Sequence, residues 1–434
     1  MKRSSKAWNR SSFIMSVAFD DNVTLTVEVG FDSEPFDSSQ SFTDISAYVR
    51  AINIRRGRVN ELGQFPAGTC SLALSNTDNR FNPNQSTYYY DSGNGRTKIQ
   101  PLKTVKVSAT YDSSTYVLFY GFLDTIPVSY VAEGIDSIVT FTAVDAFKIF
   151  KGQTIQSVGW RLGTSGFSEL GTSTRLGYDD EQELSSARIT RLLNSIGFPS
   201  SLRTINTGTN QVITQAVTTN LLTAMQECET AENAQYFMAK DGKATFRNRA
   251  YKLTNASATD VQATFSNDGS NLPYRDVVTN FDTNEVINVY EWTRTGGATQ
   301  YIADADSVSR YTAKDSQKST INVTNANVLS LIEQKLSETA LPIVRIERLE
   351  VNPRDNVSIW SQALGREFGD RIKVKIVNPN GTSVEDELWI ESIEHNINSS
   401  SQTWDWNVTL SPAGSSAFVL GQAQLGVGTR FAYT

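Results

Sequence analysis

The chain has 434 residues, a formal net charge of −7, two cysteines and one histidine. At roughly 100–200 residues per domain there is room for two to four domains. Abundant Ser, Thr and Asn beside an ordinary apolar content suit strands facing water or a partner surface more than long helices. Cys70 and Cys228 form no CxxC pair and no disulfide framework, and read as two small buried residues. No run approaches the roughly 18 apolar residues of a membrane span.

Residues 1–15 read as a basic arm: Lys2, Arg3, Lys6 and Arg10 stand in it without an acid. It lacks the apolar centre of a secretory signal; a flexible tail, a docking arm and an upstream start before Met15 all fit. The rest of the chain has no basic cluster suited to nucleic acid.

Residues 16–150 are predicted to form a first β-barrel-like domain. Val23, Leu25, Val27 and Val29 alternate with polar neighbours, as a half-buried strand requires, and so do Cys70, Leu72 and Leu74, then Val105 and Val107, with Phe141 in a similar run. Turn signals separate them: Asn76 to Asn79, Ser92 to Gly95, Asp112 to Ser114, and Glu133-Gly134.

Residues 151–255 are predicted to be a small α+β insertion. A helix from Glu181 to Ile196 places Leu184, Ala187, Leu192 and Ile196 on one broad face and is stopped by Gly197 and Pro199. A second, starting after Thr218 or Thr219, carries Leu221, Leu222, Met225 and Cys228. Asp241-Gly242 between Tyr236-Phe237-Met238 and Ala244-Thr245-Phe246 is a hairpin signal.

Residues 256–415 return to β as a second barrel-like domain with one helix, carrying Val328, Leu329, Ile332 and Leu336 ahead of Pro342. Its strands are expected at 343–346, 372–377, 388–397 and 404–410. Residues 416–434, rich in Gly, Ala and Gln, read as an extended C-terminal arm. The fold class is therefore α+β, mainly β.

Two stretches echo each other. Val105-x-Val107, a turn, Leu118 to Ile126, a turn and Val139-Thr140-Phe141 match Val374-x-Ile376, a turn, Leu388 to Ile397, a turn and Val408-Thr409-Leu410, with 34 residues from first to last valine in each. Duplication gives such a match, and so do any two three-strand meanders.

The chemistry of an active site is sparse. His395 is the single imidazole for any Ser-His or Cys-His arrangement and lies in an alternating strand, where it reads as structural. No phosphate-cradling glycine loop is present. Asp304-Ala305-Asp306 opens like a calcium loop, but Val308 and Ser309 stand where an oxygen ligand and a glycine belong. The acid runs Asp179-Asp180-Glu181 and Glu385-Asp386-Glu387 read as loop charges rather than a glycosidase pair. Trp404-x-Trp406 reads as core packing on one face, whereas Tyr88, Tyr89 and Tyr90 are candidates for a contact surface. With them we place Lys2, Arg3, Lys6 and Arg10 of the arm and Phe431 of the tail. No catalytic residue, metal ligand or cofactor is expected.

Several motifs resemble minor tail or tail-tip (baseplate) hub proteins of long-tailed phages. The sharpest is Ala67 to Asn76 followed by Asp78-Asn79-Arg80-Phe81-Asn82-Pro83, in which Asp78, Arg80, Phe81 and Pro83 correspond to a structural turn ahead of a Tyr-containing loop. Ile99 to Val107, Leu118 to Leu123, Val144 to Phe147, Leu192 to Pro199, Lys240 to Arg249 and Leu364 to Ile372 follow in the same order, so that the resemblance spans most of 16–415. It implies a non-enzymatic hub with paired β-barrels, made in the bacterial cytoplasm and built into the virion tail tip. The implied partners are two further copies in a homotrimer, the tail tube or distal tail protein, and a tail fibre or spike. DNA would pass transiently through the lumen, with no stable nucleic-acid or small-molecule ligand. A receptor- or glycan-binding minor tail protein is the alternative.

Overall fold

The computed structural model describes residues 17–20, 23–37, 39–130, 136–153, 160–163, 166–169, 175–176, 182–216 and 220–413. Lys2, Arg3, Lys6, Arg10, Phe431, the Glu133-Gly134 turn and Asp179-Asp180-Glu181 lie outside the described residues.

The first half is built from Val23–Val29 (β1), Val49–Gly57 (β2), Thr69–Ser75 (β3), Thr104–Tyr111 (β4), Ser114–Thr125 (β5), Val128–Tyr130 (β6) and Ser137–Val144 (β7). β1 buries every second residue, as its alternation predicts. Asp112 and Ser113, both at positive φ, close the two-residue turn between β4 and β5.

The middle of the chain contributes Ala146–Gly152 (α1), Ser185–Ser195 (α2), Arg203–Ile205 (β8), Leu221–Glu232 (α3), Gln235–Met238 (β9) and Ala244–Arg247 (β10). β9 and β10 form the expected hairpin, with Gly242 at positive φ. α2 starts later than the sequence predicts, because Glu183 and Leu184 pair with Val212 and Gln211. Its inner face also differs. Arg188, Ile189, Leu192 and Leu193 are buried while Ala187 is exposed. Arg188 turns inward because Glu183 (2.7 Å) and the Ile213 carbonyl (2.7 Å) accept its guanidinium hydrogens. The helix ends as foreseen, with Gly197 at φ 68° and the Phe198 N–H returning to the Leu193 carbonyl at 3.1 Å. Asn220 caps α3 by accepting from the Thr223 N–H.

The second half comprises Thr264–Ser266 (β11), Asp276–Asn280 (β12), Val289–Arg294 (β13), Thr299–Ala303 (β14), Ala305–Tyr311 (α4), Asp315–Thr320 (β15), Asn325–Thr339 (α5), Arg345–Val351 (β16), Ile359–Gly365 (α6), Arg371–Val377 (β17), Ser383–Asn398 (β18) and Thr403–Pro412 (β19). The expected single helix, α5, is joined by α4, α6 and the one-turn helix Ala256–Thr259. Between β12 and β16 the chain makes an excursion in which β13, β14 and β15 form a separate sheet. Tyr290 and Trp292 of that sheet pack on Val328 and Ile332 of α5.

The echo in the sequence extends further in three dimensions. The first half orders its strands β4-β5-β7-β3-β2 and the second β17-β18-β19-β16-β12, all antiparallel and with the same chain connections. Each has a bulge at the matching place. Asp124 is skipped between the Leu123–Ala143 and Thr125–Thr142 pairs, and Glu391 between Ile390–Leu410 and Ser392–Thr409. The bulges align Phe141 with Val408, two residues away from the alignment given by the valine spacing.

The α+β, mainly β class is as expected, but the two halves are not closed barrels. β18 pairs with β17 through residues 383–389 and with β2 through 392–398, both on the edge away from β19. β2 thereby fuses the halves into one 15-stranded sheet that ends on β12.

Two large apolar clusters lie against this sheet. One fills the first half and takes in Trp360, Ile397 and Trp404 from the second. The other joins Phe147, Phe150, Leu192, Met225 and Phe246 to Ile372, Val374 and Val408, so residues from the expected insertion share a core with the second half. Trp404 and Trp406 are both fully buried, one in each cluster.

Candidate assembly interface

The seam between the halves begins with Arg55-Arg56-Gly57-Arg58. Two of these arginines lie in the interior, where a charge requires a partner. Arg56 meets Glu367 at 2.7 Å and stacks on the Phe368 ring. Arg58 Nε meets Glu391 at 2.6 Å, its NH1 donates to the Gly63 carbonyl at 2.9 Å, and its guanidinium lies over Phe65. Glu391 is fully buried and also accepts from Ser411 Oγ at 2.7 Å, with Lys252 Nζ at 3.5 Å. Burial alone would raise its carboxyl, but Arg58, Lys252 and these hydrogen bonds prevail and hold it down to about 2. Gly57 permits the close approach: its φ is +102°, and a Cβ there would stand 2.3 Å from the Glu391 carbonyl oxygen.

The Asp78–Pro83 turn is a packed corner. Asn76 Oδ1 accepts from the Phe81 N–H at 2.8 Å, and Phe81 is fully buried. Arg80 forks onto Asp78 and lies over the rings of Tyr48 and Tyr88. Of the three candidate tyrosines, Tyr88 is exposed. Tyr89 is half-buried, stacked on Phe31 and Phe81, and Tyr90 sits half-buried in a short hairpin with Thr97. The structure thus brings Tyr88 and Arg80 together at the surface and turns Tyr89 toward the core.

His395 is buried, and its Nδ1 accepts from Trp404 Nε1 at 3.2 Å. Burial, then the nearby Lys240 and Arg56, push it down to about 3. It is neutral at physiological pH and belongs to the core. Asp304 caps α4 by accepting from the Ser307 N–H. Glu385 and Glu387 lie across the β17–β18 hairpin from Lys373, and Glu387 also pairs with Arg371. Both cysteines are buried thiols. Among the described residues no three His, Cys, Asp or Glu side chains gather as a metal site, and no helix is long and apolar enough to cross a membrane. A shallow cleft of about 530 Å³ is bordered by Tyr116, Lys240, Arg247, Tyr251 and Glu367. Its charges are engaged: Lys240 Nζ donates to the Leu364 and Gly365 carbonyls at 2.8 and 2.7 Å, and Arg247 to the Phe368 carbonyl.

Exposed apolar side chains outside the tyrosine loop concentrate around the free end of the sheet. Val278, Phe281, Leu341, Ile343 and Val344 flank β12 or the start of β16, and Phe281 is 64 % exposed. Sequence reasoning missed this strip. Its signal was the run Val277-Val278-Thr279-Asn280-Phe281, β-prone and free of Lys, Pro and Gly.

No family model and no curated protein matches the sequence. Solved structures do match the fold. A tail protein from Neisseria meningitidis MC58 superposes with a TM-score of 0.56 at 10 % identity, over 91 % of this chain and 97 % of that one. The 43 kDa tail protein of prophage MuSo2 from Shewanella oneidensis does so with a TM-score of 0.52 at 11 % identity, over 90 % and 98 %. Over nearly its whole length, the chain has the fold of these phage tail proteins.

Proposed function

We propose that this chain is a structural hub of a phage tail. In this reading it assembles as a homotrimer at the tail tip, between the tail tube or distal tail protein and a fibre or spike, around a channel through which DNA passes. The observation that carries the reading is the repetition of one five-strand order in both halves of the chain. Three copies of a chain with two similar halves present six similar surfaces, which suits a six-fold tube on one side and a three-fold tip on the other. The fold likeness to whole tail proteins supports the same reading, and the role is structural rather than catalytic. A net charge of −7 suits a lumen that does not hold DNA back.

Immunogold labelling of intact particles tests this. Gold confined to the tail tip is the expected result; gold along the tail, on the head or nowhere refutes the hub. Binding of the isolated chain to host surface glycan would instead favour the receptor-binding alternative.

A further inference from the structure

β2 and β12 occupy the same place in the two repeated halves, yet among the described residues only β2 has its outer edge covered. Residues 392–398 of β18, just past the Glu391 bulge, pair with it. The matching segment of the first half, Thr125 to Tyr130 just past the Asp124 bulge, pairs with β7 on one side and, among the described residues, has no strand on the other. One chain therefore carries both members of a second seam, β12 and the 125–130 edge, with neither paired along its outer side among the described residues.

We propose that β12 of one copy pairs antiparallel with residues 125–130 of the next, repeating between copies the seam that β2 and β18 make within one. The register follows from the repeat. Ile397 pairs with Ile52, and Ile52 lies across from Leu72, which faces Phe141. In the other half, Val277 lies across from Leu349, which faces Val408. With Phe141 matched to Val408, Val277 takes the place of Ile52, and the two bulges put Tyr130 in the place of Ile397. Tyr130 then meets Val277 of the neighbour, Ser129 meets Val278, and Ile126 meets Phe281.

The side chains fit this occupant. Ile52 and Ile397 are buried at the internal seam, whereas Tyr130 is 62 % exposed and Phe281 64 %. The β12 edge, with apolar and β-branched side chains and no Lys or Pro, invites another strand, and Pro127 of the other edge turns its carbonyl to the Thr140 N–H of β7 at 3.0 Å, away from the uncovered side. The chain itself supplies a strand of matching position, so the occupant is a second copy. Because the contact runs head to tail, it closes a ring when the rotation allows. The inference rests on the homotrimer in the hub reading, and names the edges that close it.

The test uses two full-length single-cysteine variants, Ser129→Cys and Val278→Cys. Directly opposed residues on paired strands stand close enough for a disulfide. Ser129 and Val278 take the places of Asn396 and Asn53, whose side chains hydrogen-bond across the internal seam. Mild oxidation of the mixed variants at tens of micromolar should give a covalent dimer that neither variant gives alone. Thr125→Cys mixed with Val278→Cys, out of register, should give none. Phe281→Asp should weaken self-association at least tenfold in sedimentation while leaving the far-UV circular dichroism unchanged. A monomeric wild-type chain, no mixture-specific dimer, or equal cross-linking out of register would overturn the pairing. Gold at the tail tip without the cross-link would refute the pairing and leave the hub standing; the cross-link without gold at the tip would do the reverse.

Discussion

Replacing Arg58 with Met probes the seam where its charges are least exposed to water. Glu391 is fully buried, and its carboxyl lies at about 2 rather than its ordinary 4.5. At about 1.4 kcal/mol for each tenfold change in proton affinity, that difference is worth about 3 kcal/mol. A carboxyl held low stabilises the fold above its unfolded value, so this contribution is complete above about pH 5 and falls to roughly half by pH 3. Arg58→Met leaves the carboxylate with Lys252 at 3.5 Å and Ser411. Stranding a buried charge in this way costs about 3–5 kcal/mol, a large part of the roughly 5–15 kcal/mol that holds a typical fold together. Urea denaturation at pH 7 should show that loss. Glu391→Gln supplies the pH control: its stability gap from the wild type should narrow by about 2 kcal/mol between pH 7 and pH 3. An Arg58→Met chain within about 1 kcal/mol of the wild type, or a gap that does not change with pH, would refute the reasoning.

Two further predictions concern the same region. His395 is the single histidine of the chain and lies low, at about 3, so its imidazole proton resonances should not titrate between pH 5 and 8. Movement of those resonances near pH 6.5 would show an open site. Gly57→Ala should lower stability by about 2 kcal/mol or more in thermal unfolding, because the added methyl meets the Glu391 carbonyl and the backbone stands at φ +102°. An unchanged melting temperature would mean that the β2–β18 contact is looser than described.

Much of the fold was legible where one face of an element is apolar and the other wet. Val23 to Val29, Cys70 to Leu74, the Gly197 stop and the Asp241-Gly242 turn all carried local signals. The seam hid itself because its buried positions are charged. In β2, Arg56 takes an inward place next to Ile52 and Ile54, and Glu391 does the same in β18; both break the alternation that would mark a two-sided strand. Arg188 shifted the inner face of α2 for the same reason. The pairing of β2 with β18 is also invisible to local pattern, since nothing near residue 50 encodes a neighbour near 395. The tyrosine run showed its composition but not its geometry: Tyr89 adopts φ +46° and folds back onto Phe31.

The Asn53–Glu394 hydrogen bond across that pairing joins positions 341 residues apart in the chain. Of the two strands that unite the sheet, β18 is thus synthesised long after β2. At about 5–20 residues per second, β2 waits on the order of a minute on the ribosome for its neighbour. During that wait its outer edge is as bare as that of β12, and nascent chains side by side on one messenger carry the same edge. Contacts this distant in sequence also make closure slow once the chain is released. Expression at low temperature and low ribosome density should therefore raise the soluble yield, because the most exposed period in the life of this molecule precedes its completion.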